Sequence, residues 1–124
     1  MIQRQPPVSN RSQEAALESW DIRSMQVEPH KPQVLRSSDE ARSIAINLPA
    51  GEELQEHRTH EAAYLIVADG EVELAQGEVL TRAPTGFIAY FDANETREVR
   101  ATSDARIVLI LGPWPGAGHP RRAS

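Results

Sequence analysis

From Ser43 onward, short apolar runs alternate with turn residues. In SIAINL, Ile44, Ile46 and Leu48 share one face while Ser43, Ala45 and Asn47 share the other, the two-residue period of a strand. Beyond Gly51, turn signals recur at Asp69-Gly70, Gln76-Gly77, Pro84-Thr85-Gly86, Asp92-Ala93-Asn94 and Thr102-Ser103-Asp104. They separate AYLIVA, EVELA, EVLT, FIAYF, REVRA and RIVLIL, each a β-prone run. IRSMQV, just after Trp20, is expected to be one strand more. Short strands at such regular spacing predict an all-β sandwich or barrel.

Face assignments follow from the same period. In REVRA, Arg97, Val99 and Ala101 share one side and Glu98 and Arg100 the other, so Arg97 is expected beside core residues. In FIAYF, either Phe87, Ala89 and Phe91 or Ile88 and Tyr90 must turn inward. AYLIVA, FIAYF and RIVLIL are apolar on both faces, which predicts that part of their outer surface is covered by another element or subunit.

The ends differ in character. Residues 1–19 are polar, contain Pro6 and Pro7, and read as a mobile arm. Residues 20–112 form the predicted domain, and 113–124 a Pro/Gly-rich tail in which Trp114 is placed to clamp the barrel wall or a second subunit. A chain of 124 residues suits one domain with one core.

Composition narrows the function classes. Eighteen acidic residues against thirteen basic give a formal net charge of −5, with no basic cluster beyond Arg121 and Arg122, which argues against nucleic acid. The six aromatic residues do not interleave with Lys or Arg as a base-stacking surface would. No cysteine is present, which excludes disulfides and thiolate metal sites. No stretch approaches the ~20 apolar residues of a membrane helix, so a soluble, cytoplasmic protein with no membrane partner is expected. A glycine-rich phosphate loop, a zinc-protease helix motif, a Gly-x-Ser-x-Gly elbow and a cysteine nucleophile are all missing.

Two glycine-framed segments carry a resemblance. Gly51 is followed by five residues, then His57, with Gly70 closing the segment; after an interval of fifteen residues Gly86 opens a second, with Asp92, Asn94, Arg97 and Ala101 at its further points. This frame resembles the two motifs of the cupins and covers about half the chain. It implies a single-domain, double-stranded β-helix, the jelly-roll barrel of that family. Asp92 and Asn94 stand where the family has Pro and Gly, and can make the same turn because Asn tolerates the left-handed region and Asp closes Asx-turns.

The resemblance also implies where a metal would sit. Of the four ligand positions, His57 keeps its imidazole, while Thr59, Ala63 and Arg97 replace the other three. A guanidinium has no lone pair to donate and stays protonated, so it would repel a metal as well as fail to bind it. The family's usual metal site is therefore expected to be lost, with no cofactor. The alternative is a divalent metal such as Fe, Mn or Zn on His57 and His60, if a β-bulge near Thr59 turns His60 inward with Tyr64 or Glu61 nearby.

Three readings stay open. In the first, Arg97 and His57 grip a small anion, with Thr59, Tyr64 and Tyr90 as further ligand-binding residues. The second is a cupin enzyme of dioxygenase, isomerase or epimerase type, metal-dependent or using His57 as a general base. A third is a structural or interaction module with a vestigial pocket, in which Arg97 merely pairs with Asp92 or Glu56 or lies exposed at the end of its strand. Cupins commonly form dimers, so a homodimer is expected.

Overall fold

The computed structural model describes residues 17–57 and 60–115, with the side chains of residues 55–57 outside the description. Nine strands follow in order: β1 Gln33–Ser37, β2 Arg42–Leu48, β3 Glu53–His57, β4 Ala62–Asp69, β5 Glu71–Gln76, β6 Val79–Pro84, β7 Ile88–Phe91, β8 Arg97–Ala101 and β9 Ala105–Gly112. They build a five-stranded sheet in the order β1-β2-β9-β4-β7 and a four-stranded sheet in the order β3-β8-β5-β6. Every pairing is antiparallel. The chain thus winds as a jelly roll, two facing sheets rather than a closed barrel.

Period-two patterning explains the layering. Leu65 and Val67 of β4, Val72 and Leu74 of β5, Val99 and Ala101 of β8 and Ile107 and Leu109 of β9 meet in one buried cluster between the sheets. Fully burying an aliphatic side chain contributes about 1.5–3 kcal/mol, so this row carries most of the drive to fold. The question left open in FIAYF is settled: Phe91 is buried, Phe87 and Ala89 pack on the core, and Ile88 and Tyr90 face out.

Turn chemistry does what the residue types require. Gly70 sits at φ +84° between β4 and β5, where a Cβ would overlap the Asp104 carbonyl oxygen, so only glycine fits. Asn94 takes φ +68° in the turn before β8, and that turn is closed by the Glu95 amide donating to the Asp92 carbonyl.

IRSMQV is not a strand. Asp21 diverts it: the Arg23 amide donates to Asp21 Oδ1 at 3.2 Å and the Met25 amide to the Asp21 carbonyl at 3.1 Å, closing turns that compete with a ladder. The segment instead lies along the five-stranded sheet. Asn47 Nδ2 donates to the Val27 carbonyl at 2.8 Å, Arg106 Nη1 donates to the Ile22 and Met25 carbonyls at 3.0 and 2.8 Å, and Val27 is buried. The first strand comes later, at Gln33–Ser37, and is mostly exposed. At the far end Trp114 folds back, its ring 4.2 Å from the Arg42 guanidinium carbon.

Candidate functional site

β8 delivers the most unusual side chain of the interior. Its residues alternate buried and exposed, which turns Arg97 inward with Val99 and Ala101, as the alternation of REVRA predicts. Arg97 is 2% exposed, yet its Nε, Nη1 and Nη2 find no hydrogen-bond partner among the described residues. The ion pair with Asp92 considered above does not form, and exposure at the strand end is excluded.

What surrounds Arg97 is apolar or distant in charge. Its guanidinium carbon lies 4.8 Å from the centre of the Phe91 ring, a cation–π arrangement that covers one face of the group and leaves its N–H edge free to donate. Burial lowers the guanidinium pKa from its ordinary value, and the charge of Glu95 works in the opposite direction. The group nonetheless remains a cation at any ordinary pH. Phe91 stands opposite Ala63 in the β4/β7 register, so the position where the family keeps a carboxylate contributes only a buried methyl group.

His57 is the direct cross-strand partner of Arg97, the β3/β8 ladder slipping by one residue between Leu54 and His57. That register slip lies inside β3; the bulge anticipated near Thr59 falls on residues outside the description. His57 is placed beside Arg97 by its backbone register; its side chain lies outside the description. His60 is half-buried ahead of β4. Tyr64 and Tyr90 are not brought to this interior: they stand opposite each other on the outer face, 48% and 52% exposed, their rings 5.1 Å apart.

Glu61 received attention above only as a neighbour of a possible metal, yet it is 1% exposed. The signal was present in the sequence. Glu61, Ala63, Leu65 and Val67 are spaced by two, and the last three are all buried.

Two of the family's four ligand positions supply no metal donor. Ala63 has no donor atom and Arg97 brings a buried positive charge to the spot where an imidazole would bind. Among the described residues no group of three or more His, Cys, Asp or Glu side chains is arranged to hold a metal ion.

Comparison with known proteins now decides the family. A family model described as Cupin domain matches residues 45–111, more than half the chain. The chain is a cupin. Solved structures agree on the fold: an uncharacterised double-stranded β-helix protein from Klebsiella pneumoniae aligns with a TM-score of 0.71 at 15% identity, over 82% of this cupin and 95% of that chain. An RmlC-like cupin from Desulfovibrio desulfuricans aligns with a TM-score of 0.63 at 19% identity, over 90% and 98%. An RmlC-like cupin from Shewanella frigidimarina gives 0.67 at 14%, over 81% and 94%. A search of curated proteins finds no match. Among the described residues of this cupin, no helix is long and apolar enough to cross a membrane.

Proposed function

We propose that this cupin binds a small anionic molecule between its sheets through Arg97, without a metal at the family's ligand positions. One observation carries the reading: a cation 98% removed from solvent whose donors have no protein partner among the described residues. Burying an uncompensated charge costs several kcal/mol, so such a group is more economically explained by a partner from outside the chain than by packing. A carboxylate meets the planar N–H edge with two parallel hydrogen bonds, and the Phe91 face steers it to that edge. His57, at the neighbouring register position, is the second residue we assign to the site.

The test is a thermal-shift and calorimetric screen of small mono- and dicarboxylates and inorganic phosphate. At a hundredfold excess over Kd a ligand stabilises by about 2.7 kcal/mol. At least one anion is expected to shift wild-type protein and not Arg97→Met. No shift with any of them, or the same shift in both proteins, overturns the reading; consumption of the bound anion would point to the enzyme alternative.

A second reading concerns assembly, and the outer face of the five-stranded sheet favours it. Two cross-strand rows, Val108-Ile66-Ile88 and Ile110-Tyr64-Tyr90, form an uncharged apolar block, and Ile88 remains 57% exposed beside the half-exposed tyrosines. Among the described residues, the N-terminal segment is tied to this sheet at Asn47 and Arg106. We propose that a second copy of the chain covers the remainder, because these two uncharged rows meet identical rows without repulsion and two pleated faces pack about 10 Å apart. Light scattering of dilute protein should give twice 13.7 kDa, falling to the single-chain mass in Tyr64→Lys/Ile88→Lys; a single-chain mass for the wild type removes the idea.

A further inference from the structure

β7 is an edge strand of one sheet and β6 an edge strand of the other, so the sandwich is open along the flank between them. The backbone of β7 offers that flank a template. The Val67 amide donates to the Phe87 carbonyl at 2.9 Å, and bonded pairs alternate with non-bonded pairs along an antiparallel ladder. Leu65/Ala89 and Ala63/Phe91 therefore continue the bonded series, and the N–H and C=O groups of Ile88 and Tyr90 point away from β4. Among the described residues these groups have no backbone partner.

A cavity of about 220 Å³ lies along this edge, lined by Leu74, Val79 and Thr81 on one side and by Phe87, Ile88 and Tyr90 on the other. No charged side chain lines it. In the β5/β6 register Val79 and Thr81 stand on the same face as buried Leu74 and Ala83, yet both are exposed, Val79 at 66%. The core face of β6 thus extends beyond the cover that β7 provides.

We infer that this flank takes an extended peptide from a partner protein, added to β7 as a strand with an apolar side chain turned into the cavity. Main-chain hydrogen bonds to Ile88 and Tyr90 supply the hold, and the two-residue period sends every second side chain inward. A second β7 is a poorer occupant. Its own inward residues, Phe87, Ala89 and Phe91, are packed on its own core and bring nothing to the cavity.

The flank also selects a charge. A turn over residues 85–87 joins β6 to β7 at one end, and at the other, beyond the β5/β6 hairpin and the close of β7, stand Glu78, Asp92 and Glu95. A peptide of alternating apolar and polar residues with a basic end matches both features. This inference is independent of the Arg97 reading, and it uses the edge of β7 rather than the outer face assigned above to a second copy.

The probe is a blocked heptapeptide, three leucines alternating with three threonines and a lysine at one end or the other, titrated into full-length protein by calorimetry. Two further versions carry N-methyl groups on the amides of one edge or of the opposite edge. One of these should bind at least tenfold more weakly and the other unchanged, because β7 meets a single edge of the peptide. A version with glutamate in place of lysine should bind at least threefold more weakly at low salt. Ile88 is the first residue of β7, where proline is tolerated, so Ile88→Pro removes an outward N–H and spares the bonds to β4. It should weaken binding at least tenfold, whereas Ile88→Thr, which keeps the N–H, should change it less than threefold.

No binding, equal binding of the two N-methylated versions, tighter binding of the glutamate version, or equal effects of Ile88→Pro and Ile88→Thr overturns the inference. A wild-type mass of twice 13.7 kDa that falls to the single-chain value in Ile88→Pro but not in Ile88→Thr also overturns it, since the edge would then pair two copies. The N-methyl comparison needs only wild-type protein, and decides the matter even if Ile88→Pro does not fold.

Discussion

The two ends of this sandwich use arginine in opposite ways. Where β9 begins, Arg106 is half-buried and spends its Nη1 donor on the Ile22 and Met25 carbonyls, tying the N-terminal segment to the sheet. Toward the other end of β9, across the interior, Arg97 is deeper and donates to nothing in the described chain. The contrast separates a structural cation from one retained at a cost. A guanidinium that closes backbone carbonyls stabilises the fold, whereas one that is buried without a partner opposes folding, which is the premise of the anion site proposed above.

Replacing Arg97 is the strongest way to break the comparison. Arg97→Met substitutes an apolar chain of similar reach for an uncompensated charge, and is expected to stabilise ligand-free protein by about 1–4 kcal/mol. The gain should not depend on pH across the ordinary range. Burial lowers the Arg97 pKa, so its burial cost is present at every pH below that lowered value and disappears only in strongly alkaline solution, where the folded-state group would release its proton. Urea unfolding at two pH values checks this. A loss of stability would mean that Arg97 has a structural partner.

Arg106→Met should act in the opposite direction and somewhat less strongly. It removes two charge-assisted hydrogen bonds, and the Ile22 and Met25 carbonyls lose their donor, which costs about 1–3 kcal/mol. Hydrogen exchange should then rise locally, in residues 21–27, before it rises in the core strands. Equal effects of the two substitutions, in sign and size, would erase the distinction between the two ends.

The strands from β2 onward were legible because their turns are written in Gly, Asx and Pro, and because the motif frame supplies Gly51, Gly70 and Gly86 at positive φ. Arg97 facing inward was legible for the same reason, since Val99 and Ala101 leave its parity in no doubt. Runs such as AYLIVA hide their parity by being apolar on both sides, which is why Tyr64 and Tyr90 were expected to bind a ligand although Ala63 and Phe91 occupy the inward positions. The N-terminal segment was misread for a different reason. Its pairing is made by side chains far along the chain, Asn47 and Arg106, and nothing local distinguishes such a segment from an edge strand.

A third arginine sharpens the comparison from the solvent side. On the exposed face of the four-stranded sheet, Arg82 grips Glu71 with Nε donating to Oε2 at 2.6 Å and Nη2 to Oε1 at 3.2 Å. The Arg82 hydrogen bond is the main reason that the Glu71 pKa falls below its ordinary value of 4.5, helped by the Arg82 charge and by Thr102, and burial opposes it. The partner responds in kind, the Arg82 pKa being raised by the same hydrogen bond. A carboxyl with a depressed folded-state pKa contributes stability that is complete above its ordinary value and is lost as pH falls through the depressed one. Glu71→Gln should therefore leave stability at neutral pH almost unchanged and flatten the loss that wild-type protein shows below about pH 4.5. The effect should be the smallest of the three and should shrink further in salt, because screening reaches an exposed pair but not Arg97. A neutral-pH loss as large as that of Arg106→Met would show that the solvent-facing pair holds the β5/β6 hairpin in register, and partnering, rather than burial, would then be what separates these arginines.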